Sequence, residues 1–340
     1  MKVVISSYTF LPEIGGVATN VSNLANAFHQ LGHDTTLVTL ARGGADRFPY
    51  RVIRQPNPVQ LFREYAGADL LVLSNLALKL AYPLFFMRRK FALRHHSESA
   101  FNLSDRWGSA DRLRKNLALR ARHFMTSRYI GERSPYRPYT VTPPFASLDQ
   151  FTADIRLPIA QRQDAVFVGR LEPEKGIEWL LQRWNEYRRV LDVDRLHIVG
   201  DGSLLPQLRK LGADNTCIIF YGAQSRQQTA RILSGCRFTF IPSLWAEPFG
   251  AVALEALAAR TIPILSNRGG LPETVPGFGH YFDPDSESEA LAAVRSAKAE
   301  FDLHCADADA RAAWEQRCQT YLAGFDPINV ARTIIRDMSL

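Results

Sequence analysis

Two glutamates in the segment EPFGAVALE could act together on a ligand. Glu247 and Glu255 have seven residues between them, which would place them about two helical turns apart on a roughly similar face. Pro248 suits the first turn of such a helix, because its missing N–H group costs nothing there. Phe249 and Gly250 would then present backbone N–H groups to a phosphate at the helix N-terminus. The alternative is that both glutamates are solvated helix residues.

Two basic residues in the segment FVGRLEPEKG could bind a diphosphate. Arg170 ends a strand-like run and Lys175 precedes a helix-like run. Arginine holds phosphate oxygens through two parallel hydrogen bonds, and lysine adds a compact positive charge. The alternative is a solvated loop whose charge is partly neutralised by Glu172 and Glu174.

Glycine-rich turns follow several strand-like runs. Gly15 and Gly16 stand between the first strand and the first helix, where the lack of a β-carbon permits close approach to a ligand. Similar turns occur in HIVGDG and in SNRGGLPE, and neither has the third glycine of a dinucleotide fingerprint. For each of them taken alone, an ordinary tight turn is the favoured explanation.

A histidine pair ends another strand-like run, in LRHHSE. His95 and His96 carry the side chain best suited to hydrogen bonding or proton transfer near neutral pH. A structural role at the strand end is the alternative. No further ligands follow at the spacing of a metal site, so the sequence predicts no bound metal.

The elements that must position these residues alternate between strand and helix. KVVIS reads as a strand, VATNVSNLANAFHQLGH has apolar residues at helical spacing, and TTLVTL reads as a second strand. ADRLRKNLALRARHFM reads as an amphipathic basic helix. The alternation starts again at DAVFVGR, which predicts parallel sheets. We therefore predict an α/β protein with two Rossmann-like doubly wound domains that face each other across a cleft. The domains would span residues 1–150 and 151–340, and ligands would bind at the carboxyl ends of the strands.

Composition excludes several other classes. The chain has 340 residues, of which 46% are hydrophobic and 22% charged, so it is neither disordered, collagenous nor a coiled coil. The sequence contains no run of about 18 apolar residues and therefore predicts no membrane-spanning helix. No signal peptide is recognisable. The four cysteines lack CxxC spacing, which suits a reducing compartment. A cytoplasmic protein is expected.

Positive charge is concentrated in the first half of the chain. Residues 1–150 contain 20 Lys and Arg against 10 Asp and Glu, and Lys79–Arg137 alone contains 14 against 4. This excess indicates a solubilising surface or an anionic partner, such as a phospholipid membrane or a phosphorylated acceptor. The segment LALKLAYPLFFMRRK reads either as an interfacial segment or as a core helix followed by a basic turn. No nucleic-acid-binding motif is recognisable, so nucleic acid is not an expected partner.

Taken together, these segments resemble the retaining glycosyltransferases of family 4, which have the two-domain GT-B fold. The Gly-Gly loop, GR…EKG, IVGDG, FYG, EPFGAVALEALA and GGLPE occur in the family's order over most of the chain. The resemblance implies transfer of a sugar, with retention, from a nucleotide-diphosphate sugar to a glycan, lipid-linked or small-molecule acceptor. It implies no metal and no other cofactor, and it allows a peripheral location at a membrane. The last helix is a candidate for packing back on the first domain.

The resemblance also implies a role for each motif residue. All of them would bind the donor except one histidine, which would lie near the reacting centre. The implied contacts are the donor phosphate or sugar for Gly16, the diphosphate for Arg170 and Lys175, the transferred sugar for Glu247, the sugar and phosphate for the N–H groups of Phe249 and Gly250, the ribose for Glu255, and the reacting centre for His96.

Some positions depart from the family's pattern. The usual Asn-Gly-Val-Asp segment reads PFASLDQF here and keeps only Asp149, and Arg260 stands where the family often has a small residue. Two other functions stay open on the residues alone. A sugar-nucleotide epimerase of the same fold would need extra catalytic carboxylates, and no clear set stands out. The other is a non-catalytic membrane- or nucleotide-binding protein. Docking of the basic half on a membrane or on nucleic acid would leave the set of diphosphate-binding features unexplained.

Overall fold

The computed structural model divides into two compact units. The first unit contains Met1–Phe145 and Phe325–Leu340, and the second contains Ala146–Gly324. The sequence placed the boundary near Phe151 and made the last helix a candidate for packing back on the first domain. In the structure the boundary follows Phe145, and the last helix belongs to the first unit. The structure describes residues 1–13, 15–43, 47–98, 109–145, 148, 151, 156–211 and 216–339. Asp149 lies outside these residues.

The helices and strands alternate along both units. The strands are β1 (Lys2–Ser7), β2 (Asp34–Thr39), β3 (Arg51–Arg54), β4 (Leu70–Ser74), β5 (Ala92–His95), β6 (Arg122–Met125), β7 (Tyr139–Val141), β8 (Gln163–Val168), β9 (Leu196–Val199), β10 (Ile218–Gly222), β11 (Cys236–Ile241), β12 (Ile262–Ser266) and β13 (His280–Phe282). The α-helices are α1 (Gly16–Gln30), α2 (Pro58–Ala66), α3 (Leu78–Ala81), α4 (Ser109–Ala118), α5 (Arg128–Arg133), α6 (Ile177–Leu191), α7 (Leu205–Leu211), α8 (Arg226–Gly235), α9 (Ala251–Ala259), α10 (Leu271–Thr274), α11 (Glu287–Ala306), α12 (Ala308–Ala323) and α13 (Pro327–Ser339).

The first unit is built on a seven-stranded sheet in the order β3-β2-β1-β4-β5-β6-β7. All neighbouring strands in it are parallel. The central strands are buried on both faces, which explains why β1 and β4 read as continuous apolar runs. The order reverses between β1 and β4, so their carboxyl ends form the switch point where such sheets bind ligands.

Helix α13 completes the core of the first unit. Its apolar stripe, Val330, Ala331 and Ile334, packs in one buried cluster with Leu24 and Phe28 of α1. The stripe has helical spacing, so burial of this face holds the last helix against α1 of the first unit. No helix in the described part of the chain combines the length and apolar character needed to cross a bilayer.

The second unit repeats this architecture with a six-stranded parallel sheet in the order β10-β9-β8-β11-β12-β13. Its switch point lies between β8 and β11, whose core residues Val166, Phe238 and Phe240 are fully buried. The predicted fold class, α/β with two doubly wound parallel sheets, is therefore confirmed.

One predicted helix is wrong in its second half. The segment ADRLRKNLALRARHFM was expected to be a single amphipathic helix, but α4 ends at Ala118 and the last four residues form β6. Pairing of β6 with both β5 and β7 buries His123, Phe124 and Met125. An amphipathic surface helix would have left part of these side chains in water, so sheet formation overrides the helical spacing.

Candidate active site

The loop after β8 carries the two predicted diphosphate-binding residues. Pro173–Lys175 forms a single 3₁₀ turn, and Gly176 then adopts a left-handed conformation with φ +73° before α6 begins. A β-carbon on Gly176 would lie 1.9 Å from the carbonyl oxygen of Pro242, just after β11. Only glycine lets these two loops meet so closely. The contact brings the predicted residues of both loops to the same edge of the sheet.

Lys175 and Glu247 form the polar centre of this edge. Lys175 Nζ lies 2.5 Å from Glu247 Oε1, and Ser243 Oγ donates a hydrogen bond of 2.8 Å to the same oxygen. Lys175 Nζ also lies 5.0 Å from the ring centroid of Trp245. Glu247 is only 8% exposed, so its carboxylate is held by two donors in a partly desolvated place.

Glu247 is positioned by the glycine pair of GGLPE. It forms an isolated parallel bridge with Gly269, and the Gly270 N–H donates a 2.6 Å hydrogen bond to the Glu247 carbonyl. A β-carbon on Gly269 would lie 2.4 Å from that carbonyl oxygen, and one on Gly270 would lie 2.5 Å from the Pro248 oxygen. These glycines therefore serve close backbone packing, which holds the glutamate in place.

The helix that follows Glu247 begins later than the sequence indicated. It was expected to start at Pro248, but α9 begins at Ala251, and Gly250 caps it with φ +95°. Glu247 therefore lies before the helix and does not share a helical face with Glu255. Its bridge to Gly269 holds it outside the helix. The N–H groups of the first turn are accordingly those from Ala251 onward.

Glu255 is a half-buried carboxylate on α9. Burial raises its pKa to about 7, although the positive charge of Arg226 opposes the shift. In the described part of the chain, its oxygens accept no hydrogen bond and form no ion pair. A carboxylate left in this state can accept hydrogen bonds from hydroxyl groups of a ligand.

Arg170 lies at the exposed side of the loop. Its guanidinium forms an ion pair of 2.9 Å with Glu174, and both side chains are largely in water. Such exposed pairs contribute little energy and exchange readily. Glu172 turns away to Ser203, which donates hydrogen bonds of 3.0 Å from its N–H and 2.5 Å from its hydroxyl and lowers the pKa of that carboxyl. The loop is thus partly neutralised, as the alternative interpretation proposed, but Arg170 can leave Glu174 for a stronger anion.

The turn in HIVGDG packs against the loop that carries Arg170. Gly200 has φ +144°, and a β-carbon there would lie 1.8 Å from the Gly169 carbonyl oxygen. The N–H of Gly169 donates to Val199, and the N–H of Leu171 donates to Asp201. Close packing of two loops explains this glycine without a ligand.

The predicted glycines of the first unit behave differently. Gly16 begins α1, and Gly15 before it has extended backbone that any residue adopts. A β-carbon on either residue would meet no described atom within 4 Å. Neither packing against the described residues nor backbone conformation requires glycine here, which leaves the space above the turn for a ligand.

His96 lies directly after β5 at the carboxyl edge of the first sheet. Its Nε2 lies 2.9 Å from Ser74 Oγ, and its N–H donates to Asn75 Oδ1 at 3.1 Å. Burial and the nearby charge of Arg94 lower the pKa of His96 well below its usual value, so the ring is neutral at neutral pH. His95, in contrast, is a core residue, with Nε2 3.1 Å from His123 Nδ1.

Sequence reasoning missed several polar residues around these groups. Ser243 and Trp245 contact the Lys175–Glu247 pair, and Ser74 and Asn75 hold His96. All four lie at or just beyond the carboxyl end of β11 or β4. Polar residues at the ends of the two strands that flank a switch point were the signal that could have found them. Among the described residues, no group of three His, Cys, Asp or Glu side chains could hold a metal ion.

A protein-family model matches most of the second unit. Residues 162–297 match the family model for glycosyl transferases group 1. A lipopolysaccharide 1,2-N-acetylglucosaminetransferase of Salmonella typhimurium is 29% identical over 41% of this chain and 40% of its own length. A glycogen synthase of Mycobacterium tuberculosis is 35% identical over 42% of this chain and 36% of its own length. The chain thus spans less than half the length of these curated relatives.

Solved structures match the whole chain. Anabaena Alr3699/HepE in complex with UDP and glucose has a TM-score of 0.73 and 18% identity, with 100% of this chain and 99% of that chain covered. A glycosyltransferase from Rickettsia africae has a TM-score of 0.76 and 17% identity, with 99% and 98% covered. At these identities the likeness shows the fold. The chain therefore has the fold of GT-B glycosyltransferases, and the match of its second unit supports the glycosyl transferases group 1 family.

Proposed function

We propose that this chain is a retaining glycosyltransferase that moves a sugar from a nucleotide-diphosphate sugar to a glycan, lipid-linked or small-molecule acceptor. The observation that carries the proposal is the contact between the loops after β8 and β11. There Lys175 and Glu247 are 2.5 Å apart, beside the beginning of α9. Cations, a fixed carboxylate and a helix N-terminus at a switch point suit a diphosphate with an attached sugar.

The leaving group determines the roles on the donor side. Breaking the bond between sugar and phosphate develops negative charge on the diphosphate and positive charge on the sugar. Arg170, Lys175 and the N-terminus of α9, next to Phe249 and Gly250, would stabilise the diphosphate. Glu247 would face the sugar, where its negative charge stabilises the developing positive charge.

Glu255, Gly16 and His96 would supply the remaining contacts to the substrates. The carboxylate of Glu255 has no hydrogen-bond donor among the described residues, and the two ribose hydroxyls of a nucleotide would supply one each. The open space above Gly16 suits a phosphate or sugar close to the backbone. A neutral His96 would orient hydroxyl groups by hydrogen bonding near the reacting centre.

Retention would follow from attack on the same face that the diphosphate leaves. Glu247 already accepts hydrogen bonds from Lys175 and Ser243, which favours a stabilising carboxylate over a nucleophile. The departing phosphate would take the proton of the acceptor hydroxyl. Because Arg170 and Lys175 can neutralise this phosphate, the reaction is proposed to need no metal.

The test is a screen of nucleotide sugars by thermal shift, followed by an assay for transfer. UDP-glucose belongs in the panel because a related fold was solved with it, and GDP-mannose because a related mannosyltransferase depends on it. We expect one nucleotide sugar to raise the melting temperature and to transfer its sugar, with retained anomeric configuration by NMR and with activity preserved in EDTA. No stabilisation by any nucleotide sugar would overturn the proposal. Conversion of the donor without an acceptor to an isomer would indicate an epimerase.

Replacement of Arg170 by alanine should weaken binding of the nucleoside diphosphate by roughly 5- to 30-fold, or about 1–2 kcal/mol. The side chain is exposed, and Glu174 is its one ion-pair partner among the described residues, so the fold should be unaffected. Titration calorimetry measures the change. Arg295→Ala, which removes an exposed arginine from the same unit, is the matched control. Unchanged affinity for both the nucleoside diphosphate and the sugar nucleotide would remove Arg170 from the site.

We also propose that the first unit contacts an anionic membrane surface. In the segment LALKLAYPLFFMRRK, Leu80 and Leu84 are buried core residues, but Phe86 is 78% exposed beside Arg88 and Lys90. Exposed aromatic surface next to basic residues is typical of interfacial segments. These residues precede β5, so they lie at the amino edge of the sheet, opposite His96.

This contact predicts salt-sensitive sedimentation with vesicles that contain phosphatidylglycerol. Screening weakens the attraction of Arg88 and Lys90 for anionic lipid, so bound protein should fall as salt rises. Phe86→Ser should reduce binding at low salt, whereas Val59→Ser, another exposed apolar residue, should not. Absence of binding to anionic vesicles at low salt would leave a soluble acceptor as the only partner.

A further inference from the structure

A cavity of about 490 Å³ in the second unit lies away from the candidate active site. It is lined by residues that precede β8 and β12, so it opens at the amino edge of the sheet, whereas Lys175 and Glu247 lie at the carboxyl edge. Among the described residues, the charged ones that line it are four arginines and one glutamate, namely Arg156, Arg162, Arg260, Arg311 and Glu315.

One of these arginines already has a structural role. Arg162 is 4% exposed, and its guanidinium donates hydrogen bonds of 3.0 Å to the carbonyl oxygens of Leu157 and Ala259. It also donates to the carbonyl of Arg260. These bonds cap the last turn of α9, where carbonyl groups lack partners within the helix. Arg162 therefore builds one wall of the cavity.

Arg260 has no such explanation. It follows α9 in a left-handed conformation with φ 61°, which is strained for any residue with a β-carbon. Its Nη1 donates to the Leu257 carbonyl at 2.7 Å. Arg260 is 9% exposed, and its Nε is buried without a hydrogen-bond partner among the described residues. A small residue would fit this conformation better, so the chain keeps a guanidinium here despite the strain.

The remaining described side chains give the arginines of the cavity no direct ionic partner. Arg311 donates to the His304 carbonyl at 3.0 Å, and Arg156 makes no hydrogen bond to a described residue. None of the four arginines forms an ion pair with a carboxylate in the described part of the chain, Glu315 included. Burial lowers the pKa of Arg260, and repulsion from Arg156 lowers it further, while Cys318 and Glu315 oppose the shift. An anion in the cavity would relieve this repulsion.

We propose that the cavity binds a sugar phosphate. Arg156, Arg260 and Arg311 would hold the phosphate, since guanidinium groups bind its oxygens in pairs. The carboxylate of Glu315, the acidic residue among the described lining residues, would accept a hydrogen bond from a sugar hydroxyl. The volume is within the range of small-molecule sites. Because Arg260 and Gly250 cap opposite ends of α9, the ligand would contact the same helix whose other end lies at the candidate donor site.

Calorimetric titration with glucose 6-phosphate tests the proposal. We expect binding to the wild-type chain, and a loss of affinity of at least about tenfold in Arg260→Gly and in Arg311→Ala. Glycine relieves the left-handed strain at position 260, so Arg260→Gly should melt no lower than the wild type. Loss of binding in that variant cannot then be attributed to unfolding. Arg295→Ala should bind like the wild type.

Competition separates this cavity from the donor site. Glucose 6-phosphate should still bind when the donor site is saturated with the nucleotide found in the thermal-shift screen, and Arg260→Gly should bind that nucleotide normally. Competition between the two ligands, or no binding of glucose 6-phosphate, would overturn the inference. Equal affinity for inorganic phosphate, or an unchanged affinity in Glu315→Gln, would overturn the sugar part of it. None of these results depends on whether the chain transfers sugar. If the screen identifies no nucleotide, UDP takes its place in the competition experiment.

Discussion

Glu247→Gln should lower the turnover number by roughly 10²- to 10³-fold while changing the affinity for the free nucleoside diphosphate less than about threefold. The glutamine keeps the size of the side chain and an oxygen that can accept from Lys175 and Ser243. It removes the negative charge that would face the sugar as positive charge develops there. The expected effect is therefore on the transition state and leaves binding of the nucleotide nearly unchanged.

The measurement is the rate of nucleotide release from the sugar nucleotide, with and without acceptor, beside a titration of the free nucleotide. Glu186→Gln removes an exposed carboxylate from the same unit and should leave both quantities unchanged. An equal loss in nucleotide affinity with unchanged turnover would place Glu247 at the nucleoside instead.

Lys175→Ala is a less direct test than it looks from the sequence. Its Nζ is the cationic partner of a carboxylate that is nearly buried, so the substitution leaves Glu247 with Ser243 as its described donor. The loss then combines a missing phosphate contact with an uncompensated charge. A double-mutant cycle with Glu247→Gln separates the two, and we expect a coupling energy of about 1–3 kcal/mol between these residues.

The fold was predictable because parallel sheets leave a strong pattern. β1, β4 and β8 are buried on both faces, and their apolar runs alternate with helical spacing in α1 and α6. The same pattern failed at β6, where four residues continue a basic helix in the sequence. Pairing with neighbours distant in sequence decides that segment, and local spacing carries no information about such pairing.

The candidate site was predictable in its residue types and less so in its geometry. Spacing alone placed Glu247 and Glu255 on one helix, yet the bridge from Glu247 to Gly269 holds the first of them outside α9. That bridge joins segments more than twenty residues apart. The pairing of Lys175 with Glu247 depends in the same way on the contact between Gly176 and Pro242, which no local pattern reports.

Glu255→Gln should weaken binding of the sugar nucleotide by roughly 10- to 100-fold at pH 8, the energy of hydrogen bonds to a charged acceptor. The wild-type affinity should fall as the pH drops below about 7, because the carboxyl group, with its pKa raised to about 7, then takes up a proton and accepts fewer bonds. The affinity of the glutamine variant should not change over this range. The sugar nucleotide is the better probe, since the terminal phosphate of a free nucleotide itself titrates near pH 6.

The same variant should be more stable than the wild type. In the folded chain, burial raises the pKa of Glu255 from 4.5 to about 7, so folding favours the protonated form. The contribution of Glu255 to the free energy of unfolding of the wild type is therefore most favourable below pH 4.5. It decreases as the pH rises from 4.5 to about 7 and is constant above that pH. Glutamine carries no such penalty, and its advantage in the free energy of unfolding should reach about 1–3 kcal/mol at pH 8 once partial exposure is allowed for.

Denaturant unfolding at pH 5 and pH 8 measures this difference, with Glu186→Gln as the control for loss of an exposed charge. The advantage of Glu255→Gln should be larger at pH 8, and the control should match the wild type at both values. If Glu255→Gln binds the nucleotide less tightly and yet has a higher free energy of unfolding, Glu255 is a residue kept for its ligand. Its carboxylate destabilises the free protein because the hydroxyl groups that would donate to it are present only when the ligand is bound. If stability is unchanged at pH 8 while affinity falls, the carboxylate is solvated in the free protein and the raised pKa does not apply. If affinity is unchanged as well, the ribose contact has to be sought elsewhere on the edge formed by β8 and β11.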